Sequence, residues 1–213
     1  MTKKITDELW NSYFYEGTNI LINNHDEHDF TKLKEIEVNT SFEKLMELRE
    51  KVFNFNLDKD YLKKLHKLIF GSVYPFAGEY RLVNMTKLKG SFLYVITTDD
   101  FDKYLDDLFE KTNYSLANCN SLAHFSTIIA SLYTKLIYCH PFREGNGRCI
   151  REFVREFSIA KSRELGMPVE LDWQLINRSE LDRNIEIAHL FPGLTNSIFM
   201  KALVPVEDKI KVK

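Results

Sequence analysis

Apolar residues recur at helical spacing through most of the chain. The clearest stretch is 59–70, where Leu62, Leu65 and Ile69 fall on one face of a helix. A first helix is predicted over 6–23, with Thr6 as a plausible N-cap. The same reasoning predicts further helices over 42–52, about 98–112, about 121–138, about 148–165, 172–176, 180–189 and 195–203.

One segment, 81–98, has a different pattern. Val83 and the run Phe-Leu-Tyr-Val-Ile at 92–96 favour strand, and Lys89-Gly90 lies between the two arms, so a β-hairpin is predicted. Elsewhere the 8 glycines and 5 prolines are too few for a fold with many turns. The predicted fold is therefore all-α, a mainly helical bundle with a small β-hairpin.

Composition and charge narrow the class of protein. The 213 residues suit one domain, and 44% of them are hydrophobic, which is enough for a packed core. A net charge of −2 offers no broad basic field, so we expect no specific nucleic acid partner. No segment approaches the roughly 20 apolar residues that cross a bilayer, and the N-terminus is not that of a signal peptide. We expect a cytoplasmic protein with no membrane partner.

The chemistry is concentrated in residues 140–151, which read His-Pro-Phe-Arg-Glu-Gly-Asn-Gly-Arg-Cys-Ile-Arg. A glycine turn that opens a helix brings backbone N–H groups close to an anion. Arg148 and Arg151 are three residues apart and are predicted to share one helix face, as suits a polyphosphate. Glu144 could hold Mg²⁺ against the phosphates, and His140 has an ordinary pKa suited to a general base.

This segment resembles the signature of the Fic family, His-x-Phe-x-(Asp or Glu)-Gly-Asn-Gly-Arg-x-x-Arg, and matches it at every specified position. The resemblance extends upstream through 65–70 and 74–81 and covers about 40–203. It implies an enzyme, a protein adenylyltransferase. Such a nucleotidyltransferase moves AMP from ATP to a Ser, Thr or Tyr hydroxyl of a target protein and releases pyrophosphate.

The resemblance also implies roles at the reacting end of the site. His140 would accept the proton of the target hydroxyl as that hydroxyl attacks the α-phosphate. Glu144 would bind Mg²⁺ between the α- and β-phosphates, and ATP would be the co-substrate. Phe142 would point into the core and anchor the loop.

For the phosphates, the resemblance implies that Gly145, Asn146 and Gly147 form the cradle, with Asn146 also using its side chain. Arg148 would stabilise the β-phosphate, and Arg151 would bind the γ-phosphate. These two arginines are expected to be catalytic together with His140.

The predicted hairpin would be the family's flap, which holds a target segment by strand-like pairing. Val83, Lys87, Gly90 and Phe92 are the flap residues expected to dock the target. A simple surface hairpin is the alternative.

The first helix also resembles the Fic inhibitory motif, (Ser or Thr)-x-x-x-Glu-(Gly or Asn), at Ser12, Glu16 and Gly17. Ser12 and Glu16 are four apart and would share a helix face. In the family such a glutamate pairs with the second arginine of the signature, here Arg151, so autoinhibition is expected. The domains expected are an N-terminal inhibitory helix over 1–25, a Fic domain over 40–203 and a C-terminal tail over 204–213.

Other functions stay open. A Fic-type enzyme can remove AMP, with Glu16 positioning water, or transfer another phosphate-containing group. A nucleotide-binding interaction module without turnover is a further alternative. The target protein, the acceptor residue, the signal that relieves inhibition and a redox role of Cys149 are not identified by the sequence. Neither is the oligomeric state. The aromatic residues of the first helix could lie at a homo-oligomer interface or against the core, namely Trp10, Tyr13, Phe14 and Tyr15.

Overall fold

The structure is a computed structural model and describes residues 2–50, 56–84, 100–188 and 191–206. Within these ranges the chain forms eight α-helices and two short strands. The helices are α1 Thr2–Asn11, α2 Phe30–Arg49, α3 Lys59–Phe70, α4 Phe101–Ala117, α5 Leu122–Cys139, α6 Asn146–Glu164, α7 Arg178–Glu186 and α8 Asn196–Ala202. The strands are β1 Val169–Leu171 and β2 Leu203–Pro205, and 3₁₀ turns occupy Trp173–Leu175 and Pro192–Thr195.

Helix α5 lies at the centre of the bundle and packs against α4, α6 and α8. Its residues Phe125, Ile129, Tyr133 and Leu136 are fully buried. This burial follows from a sequence that is apolar on most sides of the helix. The predicted all-α class is confirmed, and none of the helices in the described ranges has the length and apolar character to span a membrane.

Side-chain caps fix where several helices begin. Asp58 accepts a hydrogen bond from the backbone N–H of Tyr61 at 2.9 Å, so α3 begins at Lys59 and spans the predicted residues. Ser121 accepts from the N–H of His124 at 3.3 Å and starts α5 one residue after the predicted bound. These starts were predictable because the capping residue types stand directly before periodic apolar runs.

Helix α2 was predicted too short, because its first half does not look amphipathic. It begins at Phe30, after Asp29 caps the N–H of Lys32, rather than at residue 42. Its buried face carries the polar residues Glu37 and Ser41, whereas Phe30 and Phe42 are exposed. Hydrophobic periodicity therefore gave no signal over this half of the helix.

The predicted first helix over 6–23 is wrong. Helix α1 ends at Asn11, and residues 13–22 fold back as two antiparallel arms bridged between Phe14 and Leu21. Gly17 lies at the bend with a φ of +70°, a conformation that interrupts a right-handed helix.

The sheet at the C-terminal end was not predicted. Strand β2 pairs antiparallel with β1, so Val204 and Pro205, assigned by sequence to a tail, belong to the folded body. The predicted hairpin lies almost wholly outside the described residues, as do Lys87, Gly90 and Phe92. Val83 is within them and is buried.

Candidate active site

His140 ends α5 in an unusual backbone conformation. Its φ is +45° and its ψ is +58°, in the left-handed region that non-glycine residues rarely adopt. Its N–H donates to the carbonyl of Leu136 at 3.0 Å, which closes the last turn of the helix. Strain of this kind persists only where surrounding contacts fix it, and it is common at functional sites.

Arg81 makes several of the contacts that hold the backbone of His140 in this conformation. This arginine is 1% exposed, and its Nε donates to the carbonyl oxygen of His140 at 2.8 Å. Its backbone N–H donates to the carbonyl of Pro141 at 2.9 Å, and its guanidinium lies 4.7 Å from the ring centre of Phe101. The His140–Pro141 step is therefore held by a buried cation that the sequence analysis did not single out.

Phe142 and Asn146 close the next part of the loop. The Asn146 side chain accepts from the N–H of Phe142 at 2.9 Å and donates to the carbonyl of the same residue at 2.7 Å. Asn146 is 2% exposed, and Phe142 is fully buried. The Asn146 amide carries a second N–H, so the phosphate contact expected from the family resemblance would use that remaining donor.

His66 of α3 connects three segments of the site. Its Nδ1 accepts from the N–H of Gly78 at 2.9 Å, so its Nε2 carries the proton and donates to the carbonyl of Glu144 at 2.9 Å. Its ring stacks on Phe142 at 3.9 Å between centroids. Burial lowers the pKa of His66 to about 4, so this imidazole is neutral and structural at neutral pH.

Gly145 makes the turn into α6. Its φ is +77°, and a Cβ at this position would lie 2.5 Å from the ring of Phe70. Helix α6 begins at Asn146, two residues before the predicted start, so the first N–H groups of a 19-residue helix belong to the loop itself. Those N–H groups have no acceptors within the helix and carry the positive end of its dipole, which creates an anion site.

Glu144 lines a cleft of about 200 Å³ together with residues of the N-terminal segment and α2. Its Oε1 accepts from the N–H of Gly145 at 3.0 Å. Among the described residues it forms no ion pair within 4 Å, although the charge of Arg143 interacts with it from farther away.

Arg148 points towards α2. Its Nη1 donates to Ser41 Oγ at 2.8 Å, its Nη2 pairs with the carboxylate of Glu37, and its guanidinium lies 4.9 Å from the ring centre of Phe70. Glu37 is 2% exposed and also accepts from the hydroxyl of Tyr74. The expected contact of Arg148 with a β-phosphate would compete with this buried carboxylate.

Arg151 has a different environment, so the predicted common face of the two arginines does not bring their guanidinium groups together. Its Nη1 is buried without a hydrogen-bond partner, and so is the hydroxyl of the nearby Tyr133. Burial, and next the charge of Arg178, lower the pKa of Arg151. A Cβ placed on Gly147 would lie 3.2 Å from Nη1 of Arg151 and 3.9 Å from Nη2 of Arg178.

Arg143, at an unspecified position of the signature, is enclosed by aromatic rings. Its guanidinium lies 4.5 Å from the ring centre of Trp10, 5.3 Å from that of Tyr13 and 5.1 Å from that of Phe14. These contacts attach the N-terminal segment to the loop. Three of the four aromatic residues considered for an interface or the core, all but Tyr15, therefore contact the loop of their own chain.

The residues of the predicted inhibitory motif do not lie on a helix. Ser12 follows the end of α1, Glu16 and Gly17 lie in the bend after it, and all three are exposed. Among the described residues Glu16 forms no ion pair, and Arg151 forms none either. The Glu16–Arg151 pairing stays a prediction without a contact in this structure.

Cys149 is fully buried on α6, and its sulfur lies 3.7 Å from the carbonyl oxygen of Leu62. Burial raises its pKa well above the ordinary value, so it is a protonated thiol at neutral pH. The thiolate that redox chemistry requires is not favoured at this position.

With this geometry established, comparison with known proteins identifies the family. Residues 56–158 match the model of the Fic/DOC family. The probable protein adenylyltransferase y4lH of Sinorhizobium fredii is 30% identical over 139 residues, which are 63% of this chain and 68% of that protein. The chain belongs to the Fic/DOC family.

Another relative is considerably longer. Protein adenylyltransferase VbhT of Bartonella schoenbuchensis is 30% identical over 177 residues, which are 83% of this chain. Those residues make up 34% of VbhT, so the chain spans about a third of the length of that relative.

Solved structures share the fold. The BepC protein of Bartonella tribocorum, with bound AMPPNP, has a TM-score of 0.78 at 22% identity over 92% of this chain and 98% of its own. A Fic domain of Bartonella quintana with bound ADP has a TM-score of 0.81 at 22% identity over 92% of this chain and 96% of its own.

Proposed function

We propose that this chain is a protein adenylyltransferase, an enzyme that transfers AMP from ATP to a hydroxyl group of a target protein. The observation that carries the proposal is the start of α6, where the helix N-terminus lies beside Arg151. Among the described residues Arg151 forms no ion pair and its buried Nη1 has no hydrogen-bond partner, so the site favours an anion. His140, held in a left-handed conformation, lies at the other end of the same loop. The names of VbhT and y4lH support the same activity.

The chain's own residues would act as follows. The N–H groups of Asn146 and Gly147 and the Arg151 guanidinium bind the polyphosphate and neutralise its charge. The N–H of Gly145 joins them once it exchanges the oxygen of Glu144 for a phosphate oxygen. His140 accepts the proton of the target hydroxyl as its oxygen bonds to the α-phosphorus. The bond from that phosphorus to the bridging oxygen of the β-phosphate breaks, and pyrophosphate leaves.

Magnesium fits this donor set if the nucleotide supplies most of the ligands. The described residues contain no group of three His, Cys, Asp or Glu that could hold a metal alone. Glu144 presents to the cleft beside the loop a carboxylate that forms no ion pair among the described residues. One carboxylate plus substrate phosphates is an ordinary Mg²⁺ site. When bound, the ion would neutralise phosphate charge, and Glu144 would hold it.

The chemistry of the site indicates the class of acceptor group on the target protein. We propose a protein with an accessible Ser, Thr or Tyr hydroxyl, because the base in this loop suits an oxygen nucleophile. Docking of the target by the segment around Val83, Lys87, Gly90 and Phe92 is part of the same proposal. The buried Val83 supports a fixed base for that segment next to Arg81.

Labelled ATP tests the proposal directly. With cell lysate as the source of targets and the labelling of lysate alone subtracted, wild type is expected to transfer label from α-³²P ATP to protein and none from γ-³²P ATP. His140→Ala is expected to reduce transfer by about 10²-fold or more while still binding ATP. ATP binding without any transfer from wild type would instead indicate a binding module. Transfer of the γ label would indicate a kinase.

A further inference from the structure

Arg178, which the family signature does not include, lies at the same anion site as Arg151. It is the first residue of α7, and the preceding segment is fixed to α6 because Trp173 Nε1 donates to the carbonyl of Arg151 at 3.0 Å. Nη2 of Arg178 would be 3.9 Å from a Cβ on Gly147, the glycine in the first turn of α6. Two guanidinium groups therefore border one glycine at a helix N-terminus.

Helix stability does not explain this placement. A cation in the first turn of a helix opposes the helix dipole, which offsets the stabilisation from the i,i+4 ion pair of Arg178 with Asp182. Arg178 also opposes ionisation of the neighbouring arginine, since its charge contributes to the lowered pKa of Arg151. Within the described ranges no carboxylate pairs with Arg151. Asp182 balances the charge of Arg178, so the charge of Arg151 is the one left without a counter-ion unless an anion lies between the two groups.

Asp182 orients Arg178 without blocking it. Both carboxylate oxygens of Asp182 accept from Nε, each at 3.1 Å. These are the hydrogen bonds of Arg178 among the described residues, so Nη2 keeps its donors on the side of Gly147. Arg178 is 51% exposed, which leaves it accessible to a ligand entering from solvent.

We propose that Arg178 is a second binding residue for the terminal phosphate of the nucleotide and that it makes the site select a triphosphate over a diphosphate. The inference rests on the proposed function for the direction of the nucleotide. With the α-phosphate near His140 and the β-phosphate at the N–H groups of 145–147, only a third phosphate extends to the pair Arg151 and Arg178. A terminal phosphate carries up to two charges, which two guanidinium forks can match.

The test compares nucleotide affinities in the complete chain. Arg178→Gln removes the charge, and Arg178→Lys keeps the charge but lacks the paired N–H donors of a guanidinium. Arg183→Gln is the matched control because Arg183 is an exposed arginine on the same helix. Dissociation constants for ATP and ADP are measured by calorimetry with Mg²⁺ and at two salt concentrations. Thermal unfolding without nucleotide checks that each variant folds.

We expect Arg178→Gln to weaken ATP binding by about tenfold and ADP binding by less than about twofold, and Arg178→Lys to fall between wild type and Arg178→Gln. Arg183→Gln should leave both constants unchanged. Equal weakening of ATP and ADP, or no change in either, overturns the inference. So does an equal effect of Arg183→Gln.

Transfer assays separate this inference from the proposed function. Arg178→Gln should raise the KM for ATP more than it lowers kcat, whereas His140→Ala should abolish transfer and leave both nucleotide affinities intact. Wild type could transfer no AMP and still bind ATP in preference to ADP. If Arg178→Gln then lacked that preference, the proposed function would fail and the role of Arg178 would stand.

Discussion

Gly145 shows how one residue fixes the entry to the candidate site. Its positive φ and the Phe70 ring 2.5 Å from a would-be Cβ are two separate obstacles to any side chain. The ring cannot move freely, because Phe70 is fully buried and also contacts the Arg148 guanidinium. A side chain here must shift either the loop or the end of α3.

Gly145→Ala is therefore expected to lower the free energy of unfolding by roughly 3 kcal/mol, from backbone strain plus overpacking. Gly166→Ala is the matched control, since Gly166 has a φ of +69° with nothing within 4 Å of its Cβ position. The unfolding free energy of Gly166→Ala should fall by about 1 kcal/mol, from backbone strain without overpacking. Urea unfolding measures both values. Equal losses would mean that Phe70 does not constrain the loop.

The signature residues could be predicted from the sequence, and their bonding could not. A spacing of three residues places Arg148 and Arg151 near each other on α6, but it does not say that Glu37 and Ser41 hold one of them. Likewise the Asn146 amide is bonded to Phe142. Partners such as Glu37, His66 and Arg81 come from distant parts of the chain, and a polar residue in a local pattern gives no sign of them.

Among the elements, the N-terminal segment departs furthest from the predicted structure. It was predicted as a helix carrying an inhibitory glutamate, and it is instead a short helix followed by a bend. Helices with conventional caps, such as α3 and α5, were predictable from local sequence. The α2 helix and the β1–β2 pair were not, because buried polar contacts in one case and pairing over a long separation in the other determine them.

Glu16→Gly tests whether Glu16 inhibits the enzyme, as the family motif implies. Because Glu16 is exposed and forms no ion pair among the described residues, we expect labelling from α-³²P ATP to stay within about twofold of wild type. The family motif implies a rise instead. The control is Glu8→Gly, at an exposed glutamate of α1 in the same N-terminal segment. A large increase confined to Glu16→Gly would restore the inhibitory role and require the segment to rearrange.

Helix α6 also carries a buried carboxylate away from the nucleotide site. Glu156 is fully buried, and its Oε2 accepts from the hydroxyl of Tyr61 at 2.6 Å. Burial raises its pKa to about 7, although the Tyr61 hydrogen bond opposes the shift. The folded protein therefore keeps a proton on Glu156 between about pH 4.5 and 7, where the unfolded chain has lost it.

Stability contributed by that proton is present below about pH 4.5 and is lost as the pH rises through 7. Glu156→Gln stays neutral, so we expect its unfolding free energy, relative to that of wild type, to rise by about 2.5 kcal/mol from pH 5 to pH 8. Subtracting the two unfolding free energies at each pH cancels other titrating groups. Glu164→Gln, at an exposed glutamate of the same helix, should give a flat difference. A flat difference for Glu156→Gln would contradict the raised pKa.

At the scale of the whole molecule, the two signature arginines of α6 should have opposite effects on stability. Arg148 neutralises a buried glutamate, so Arg148→Met would leave Glu37 with Tyr74 and Lys34 as its remaining polar partners. Arg151 is itself the uncompensated charge, beside Arg178 and with a buried nitrogen that no described residue satisfies. Arg151→Met would remove that cost from the nucleotide-free protein.

We therefore expect Arg148→Met to lose about 3 kcal/mol of unfolding free energy and Arg151→Met to gain about 1–3 kcal/mol, or about 2–4 °C in Tm for each kcal/mol.

Saturating ATP should make Arg151→Met less stable than wild type. At a hundred times its Kd, ATP stabilises wild type by about 2.7 kcal/mol, and Arg151→Met should lose most of that gain because its phosphate contact is gone. Thermal unfolding with and without MgATP measures all four quantities. If Arg151→Met destabilised the nucleotide-free protein as much as Arg148→Met did, Arg151 would be a structural residue, and the anion site at the start of α6 would lose its main support.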